Sequence, residues 1–355
     1  MSHSLTRVAL SQHLDSHLAK VSRTFALNIR VLPPLLREQV TVSYLFCRIA
    51  DTIEDSPLLE GPVKSTLLND FAALFNVPQW PTESIIKWMA QLPKNLTTNQ
   101  NDLSLVQDTS LVFDLARDYS DPVKAALSHW IREMCTGMAF YATKANRQAQ
   151  IPLISDIKDL DRYCYYVAGT VGYLLCDLFS LSSPFIGKKR KEKLSRLALS
   201  FGLGLQLTNI LKDFASDQTR DTVFIPDQLL REYGLSSDTL TSDASTQKMH
   251  KLTQVLAHKT LDHLNDAMEY TCLLPRLEPR LRLFCLWPLS LAVESLALIL
   301  DKPVQHAQGQ VLKISRDQVK SIIKETSLTC WSNYLLRKNF AKRTCHLKIL
   351  LNKDL

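Results

Sequence analysis

Apolar residues return every third or fourth position through Val40–Ala50, Val123–Tyr141, Leu160–Phe179, Leu194–Phe214, Met249–Leu273 and Arg280–Leu300. That period places them along the side of an α-helix. Pro33, Pro34, Pro57, Pro62, Pro78, Pro81 and Pro93 punctuate the connections, and the polar stretches Pro93–Asp102 and Ser236–Gln247 read as loops. Strand signals are nearly absent, with Thr222–Ile225 the best short candidate. Several of the periodic segments are apolar over more than one stripe, as expected for helices enclosed in a large bundle. The pattern predicts an all-α fold. No fixed repeat and no linker interrupts it, so residues 1–330 read as one domain and 331–355 as a tail.

Composition sharpens this picture. Only 9 glycines occur in 355 residues, against an average usage of about 7%, which argues against a turn-rich β fold and against glycine-rich nucleotide cradles. The 8 cysteines are scattered without a CxxC pair; they read neither as a disulfide framework nor as a zinc site and favour a reducing compartment. The N-terminal residues carry charges throughout and lack the apolar core of a cleavable signal, so the expected location is cytoplasmic. The longest apolar stretch, Leu283–Leu300, contains Pro288, Ser290, Glu294 and Ser295 and reads as a buried helix, with a membrane-dipping surface as the second reading.

The net charge of +7 is modest and partly local. Beyond Trp331, Arg337, Lys338, Lys342, Arg343, Lys348 and Lys353 alternate with Leu335, Leu336, Phe340, Leu347 and Ile349. This basic amphipathic tail suits either peripheral contact with an anionic membrane or a solvated helix. It also accounts for the basic balance without nucleic acid.

Two acidic motifs carry the chemistry. In Asp51-Thr52-Ile53-Glu54-Asp55 the three carboxylates share one helical face and repel one another. Arg48, three residues earlier, is expected to pair with only one of them, so the group calls for a further positive charge. In the second motif Gln206, Asn209, Asp213 and Asp217 fall at spacings of three and four on an otherwise apolar helix. Polar groups in such a setting need partners, because unpaired burial costs several kcal/mol. Either motif alone fits a solvated or structural polar face. Together they suit Mg²⁺ bridging to a substrate's phosphates, since Mg²⁺ favours one or two carboxylates plus phosphate oxygens.

VSRTFALNIRVLPPLLREQVTVSYLFCRIADTIED (Val21–Asp55), YCYYVAGTVG (Tyr163–Gly172) and LQLTNILKDFASD (Leu205–Asp217) resemble, in order, the signature blocks of the squalene and phytoene synthase family. The resemblance implies a single-domain isoprenoid synthase-type helical bundle with a central apolar cavity. It also implies Mg²⁺-dependent head-to-head joining of two prenyl diphosphates. Asp51, Glu54 and Asp55 would hold Mg²⁺ against one diphosphate, with Asn209, Asp213 and Asp217 as a second metal-binding set. Arg23, Thr24 and Phe25 would belong to a flexible diphosphate-binding segment. Tyr44 and Arg48 fall where the family contacts diphosphate, and Gln206 lies on the second stripe. Lys212 stands where an arginine is usual, keeping the charge but not the bidentate fork. A second departure is Thr222 in place of an arginine, for which Arg220 is the candidate substitute.

The middle block alternates bulk with very small residues. Two glycines within a helix, each costing about 1 kcal/mol relative to Ala, imply that something packs closely there, either a neighbouring helix or, by the resemblance, prenyl chains lying over Ala168, Val171 and Gly172. Tyr163 would stand near the reacting carbons and assist proton loss or steady a carbocation. DTIED favours the squalene branch, with farnesyl diphosphate as substrate and presqualene diphosphate as intermediate. Gln310–Arg316 resembles a basic segment that branch uses near NADPH, with Lys313 and Arg316 as phosphate contacts. Non-reducing phytoene or dehydrosqualene synthesis is the alternative, followed by a catalytically inactive relative.

Overall fold

The computed structural model describes residues 6–76, 79–144, 153–219, 222–236 and 246–353. All described elements are helical. No strand forms at Thr222–Ile225, whose backbone instead leaves the preceding helix through Thr222 N–H donating to the Asp217 carbonyl at 2.9 Å. The chain divides into two compact units, residues 1–145 with 173–184 and residues 146–172 with 185–355.

The first unit is built from α1 (Arg7–Val21), α2 (Arg23–Arg30), α3 (Pro34–Glu54), α4 (Gly61–Leu74), α5 (Thr82–Gln91), α6 (Gln100–Gln107), α7 (Thr109–Arg117) and α8 (Asp121–Lys144). The polar stretch Pro93–Asp102 therefore ends inside α6, whose first turn is capped by the Asn99 side chain. Pro34 sits at the first position of α3, where its missing N–H costs nothing. The core of this unit is aromatic. Phe46 of α3 lies 4.7 Å, centroid to centroid, from Phe113 of α7, and Phe71 of α4 lies 4.7 Å from Trp88 of α5. Such pairs add to the stabilisation from buried area. The enclosure of α3 is nearly complete: from Gln39 to Ile53 every residue is buried except Tyr44, Arg48 and Asp51. Their spacing of four and three makes them one stripe.

The second unit contains α9 (Ile157–Cys164), a π-helical turn (Tyr165–Gly169) and the 32-residue α11 (Lys188–Thr219); α10 (Thr170–Ser182), which follows the π-turn, belongs to the first unit from residue 173 onward. The second unit continues with α12 (Asp227–Glu232), α13 (Thr246–Leu273), α14 (Pro279–Asp301), α15 (Pro303–Ala307), α16 (Arg316–Thr329) and α17 (Asn333–Leu351). Ser236–Gln247 lies mostly outside the described residues. The π-turn crosses α11 so closely that a Cβ on Gly202 would stand 2.3 Å from the Ala168 carbonyl oxygen, and one on Gly172 would stand 2.3 Å from that of Ala198. Neighbouring helix backbone is thus what these two glycines accommodate.

Among the described residues two helical stretches, Ile157–Ser182 and Pro279–Asp301, are long and apolar enough to cross a membrane, but 67% of the apolar window of the second is buried within the protein. The C-terminal residues are likewise packed. Leu336, Phe340, Leu347, Leu350 and Leu351 of α17 are buried, Arg337 pairs with Glu269 at 2.7 Å, and Arg343 pairs with both Glu294 and Glu325.

Candidate functional site

In the first unit the predicted residues gather on the exposed stripe of α3. Asp51 and Glu54 are partly exposed at the surface yet sit deep among protein atoms, while Asp55 is exposed at the helix end. Burial and then the neighbouring Asp55 charge push Asp51 up to about 7, against the opposing pull of Arg48. Glu54 is raised well above the carboxylate range by burial, then by Asp55 and Asp51, with Lys64 opposing. The Lys64 ammonium donates to the Glu54 carbonyl at 2.6 Å and so brings positive charge to the end of the stripe.

Arg48 behaves differently from the expectation that it would pair with one of the three acids. Its Nε and Nη2 donate to the two carboxylate oxygens of Asp102 at 2.9 and 2.7 Å. Asp102 is buried on α6, so it offers a parallel pair of acceptors at fixed geometry, which the carboxylates one turn along α3 do not match. Burial opposes the Arg48 charge, but these hydrogen bonds and the Asp102 charge hold it firmly protonated. The guanidinium is thereby anchored on one edge and remains partly exposed. Asp102 was not foreseen; a lone Asp in a polar run gives no signal until the fold brings it 54 residues back to Arg48.

One turn before Arg48, Tyr44 is half-buried and its ring centroid lies 5.3 Å from that of Phe25. Burial raises the Tyr44 phenol, opposed by a hydrogen bond with Ser22 and by Arg48. Ser22 also caps α2 by accepting from the Phe25 N–H at 3.3 Å. Arg23 is the first residue of α2, and Thr24 beside it is exposed.

In the second unit α11 carries the other stripe. Gln206 is half-buried, Asn209 exposed, Asp213 half-open and Asp217 only 6% exposed. Lys212 braces this set from within, its ammonium donating to Asn209 Oδ1 at 3.1 Å and pairing with Asp213 at 3.2 Å. Behind the stripe, the His306 imidazole of α15 donates from Nε2 to the Leu211 carbonyl at 2.7 Å. Burial pulls His306 down to about 4, so it is neutral and holds α11 without adding charge.

Tyr163 is 4% exposed, its ring stacked on Phe224 with centroids 4.7 Å apart. Phe224 opens the run Phe224-Ile225-Pro226, and its role as the wall of Tyr163 was not apparent from the chain. Ala168 and Val171 are half-buried. Lys313 and Arg316 are both exposed, on the extended approach to α16 and at its first residue. Arg220 lies outside the described residues.

The donor sets can be tested against Mg²⁺. All of their donor atoms are oxygens, as a hard cation requires, and on α3 burial biases Asp51 and Glu54 toward protonation, a penalty that a divalent cation would relieve. The α11 set fits in donor type, with Lys212 occupying part of it. For NADPH the fit at Lys313 and Arg316 is one of charge and exposure only.

Residues 18–318 match the sequence profile of the squalene/phytoene synthase family, and the chain belongs to that family. Among curated proteins it is 28% identical over 306 residues to the squalene synthase of Schizosaccharomyces pombe, covering 84% of this chain and 62% of that protein. It is 29% identical over 331 residues to the squalene synthase of Rattus norvegicus, covering 91% of this chain and 72% of that protein. The chain thus spans less than two thirds of the length of the yeast relatives, 65% for that of Cyberlindnera jadinii. Among solved structures, TcSQS in complex with the ligand E5700 superposes with a TM-score of 0.80 at 22% identity, over 97% of this chain and 96% of that one. A dehydrosqualene synthase superposes at 0.61, with 20% identity over 91% of this chain and 96% of that one. These superpositions establish the all-α fold.

Proposed function

We propose that this chain joins two farnesyl diphosphates head to head and reduces the product to squalene. The observation that carries the reading is the stripe on α3: on a helix otherwise buried from Gln39 to Ile53, the residues left open are a tyrosine, a clamped arginine and an acid held up to about 7. An apolar enclosure open along one charged line suits a substrate with an anionic head and a long hydrocarbon tail. The squalene synthase names of the relatives support the same reading.

In this account Asp51, Glu54 and Asp55 would hold Mg²⁺, and Asn209, Asp213 and Asp217 a second magnesium set. When bound, the metal supplies charge neutralisation to a departing diphosphate. The chain does the rest. Arg48, fixed by Asp102, presents its free edge to diphosphate oxygens without reorganising. Tyr44, Thr24, Phe25 and Arg23 complete that binding edge, and Lys212, with Arg220 as a further cation, serves the second diphosphate alongside Gln206. The half-buried Ala168 and Val171 line the path of the prenyl chains, while Gly172 lets α11 pack against this segment. Apolar walls keep water from the allylic cation, so the second molecule's double bond attacks it to give presqualene diphosphate. Tyr163, pinned by Phe224, orients its phenol toward the proton lost at that step or steadies the cation with its ring. Lys313 and Arg316 would hold the phosphates of NADPH, which supplies the hydride for the final reduction. The site works from the cytoplasmic side, with peripheral membrane contact through residues 331–355.

Incubation of the full chain with farnesyl diphosphate and Mg²⁺, with and without NADPH, tests this. Squalene formed only with NADPH is expected. Presqualene diphosphate or dehydrosqualene irrespective of NADPH would reassign the chain to a non-reducing synthase, turnover of geranylgeranyl diphosphate alone to a phytoene synthase, and silence with both substrates would contradict the reading.

A further inference from the structure

A second charged cleft lies in the second unit and involves none of the residues above. Its volume is about 610 Å³, and its walls are the first turns of α11, with Lys189, Arg190 and Lys193, and the α13–α14 connection, with Arg276. Asn333 closes one side, and Phe185 and Leu277 stand at the rim, 48% and 72% exposed. Glu192 and Glu278 are adjacent in sequence but do not line it. Among the described residues, none of Lys189, Arg190, Lys193 and Arg276 has a carboxylate at ion-pair distance; Arg190 instead donates to the Phe185 carbonyl at 2.6 Å.

Beneath this cleft is a fifth cation. Arg282 is fully buried, and its guanidinium donates to the carbonyls of Leu274, Cys272 and Cys330 at 3.1, 3.1 and 2.6 Å and to the Asn333 side chain. Cys272, Leu274 and Asn333 are themselves lining residues of the cleft. Arg282 is therefore held by four acceptors, all of them neutral dipoles. A buried charge normally has a counterion, because desolvating it is expensive. Burial pulls this guanidinium down, and the Arg276 and Arg190 charges add to the effect. Five like charges around one opening, one of them buried without an acid, leave a positive field that an anion would relieve.

We propose that this cleft binds a phosphate group, with Lys189, Lys193 and Arg276 contacting the oxygens, Arg282 supplying field from below and Phe185 and Leu277 offering apolar contact to whatever bears the phosphate. The geometry of fixed cations opening between two exposed apolar side chains fits a phosphomonoester on an amphiphile as well as a free anion, and the chemistry recognised is the same.

The test uses the full chain. Binding of inorganic phosphate and pyrophosphate is titrated by ³¹P line broadening, and flotation is measured with vesicles of phosphatidylcholine alone or doped with phosphatidate. The double variant Lys189→Gln, Lys193→Gln removes two exposed charges of the cleft. Lys320→Gln, Lys324→Gln, on α16, removes two charges elsewhere and controls for bulk charge. Phosphate binding lost about tenfold or more in the cleft variant and retained in the control is the expected result, weakened by salt in the wild type. Flotation restricted to phosphatidate vesicles and lost in the same variant would make the source a lipid headgroup; binding of the free anions alone would make it a soluble phosphate. Equal effects of the two double variants, or no binding of either probe by the wild type, would overturn the proposal.

Discussion

The acidic stripes of α3 and α11 carry similar residues at similar spacing, yet the protein treats them differently. On α3 the acids lie in an enclosure that raises Asp51 to about 7, and the stripe's arginine is turned away from them and fixed on Asp102. On α11 the cation stays within the stripe, Lys212 bridging Asn209 and Asp213, and the side chains of Lys212 and Asp213 remain 35% and 45% exposed. One stripe thus has its arginine committed to an acid outside it, and the other keeps its lysine among its own polar groups. The lesson is that an acidic motif is defined less by its carboxylates than by where its nearest cation is anchored. A divalent ion is expected to bind first and more tightly at α3, and Lys212 must yield before one binds at α11.

The strongest way to break the comparison is Asp51→Asn, which is expected to lower Mg²⁺-dependent turnover by at least about a thousandfold, the several kcal/mol that metal-assisted charge stabilisation supplies. The same change should stabilise the metal-free protein. A carboxylate whose folded pKa lies above its unfolded value opposes folding once the pH exceeds the unfolded value, so the gain should be greatest above pH 7 and shrink as pH falls toward 4. Thermal melts at pH 5 and pH 8 without metal check the sign.

Asp102→Ala leaves Arg48 half-buried without its partner, which typically costs about 3–5 kcal/mol. Asp102→Asn keeps one acceptor and should recover part of it. Both should weaken diphosphate binding, read by competition with pyrophosphate, while Lys212→Ala should change it only severalfold.

Neutral His306 gives the α11 side its own pH dependence. Its folded pKa of about 4 lies below the unfolded value near 6.5, so the stability it contributes is present above pH 6.5 and is lost as pH falls toward 4. The loss should be on the order of 3 kcal/mol and absent in His306→Gln. Smallest in effect is Gly202→Ala. The added methyl meets the Ala168 carbonyl and should cost about 1–3 kcal/mol by overpacking, with a lowered melting midpoint as readout.

Much of this was legible in the chain. The periodic apolar segments gave the long helices, and the resemblance named Tyr44, Arg48 and Asp51, which the structure leaves as the open line of α3. What stayed hidden depends on contacts distant in sequence. Asp102 sits in a polar run that reads as loop, and Phe224 looked like part of a short strand although it stacks on Tyr163. The glycines of the middle block left helix packing and a prenyl channel open, and the close approach of the Ala198 carbonyl to Gly172 and of the Leu199 side chain to Gly169 explains them by packing. The tail's basic residues read as free charge, but Arg337 and Arg343 are paired with acids of α13, α14 and α16.

The most direct test of the central claim, that both stripes serve one Mg²⁺-dependent reaction, is farnesyl diphosphate turnover by Asp51→Asn and Asp213→Asn, each measured alone with its melting midpoint. The account predicts that each variant stays folded and loses turnover by at least about two orders of magnitude, with the larger loss at Asp51. Full turnover by either folded variant would contradict it.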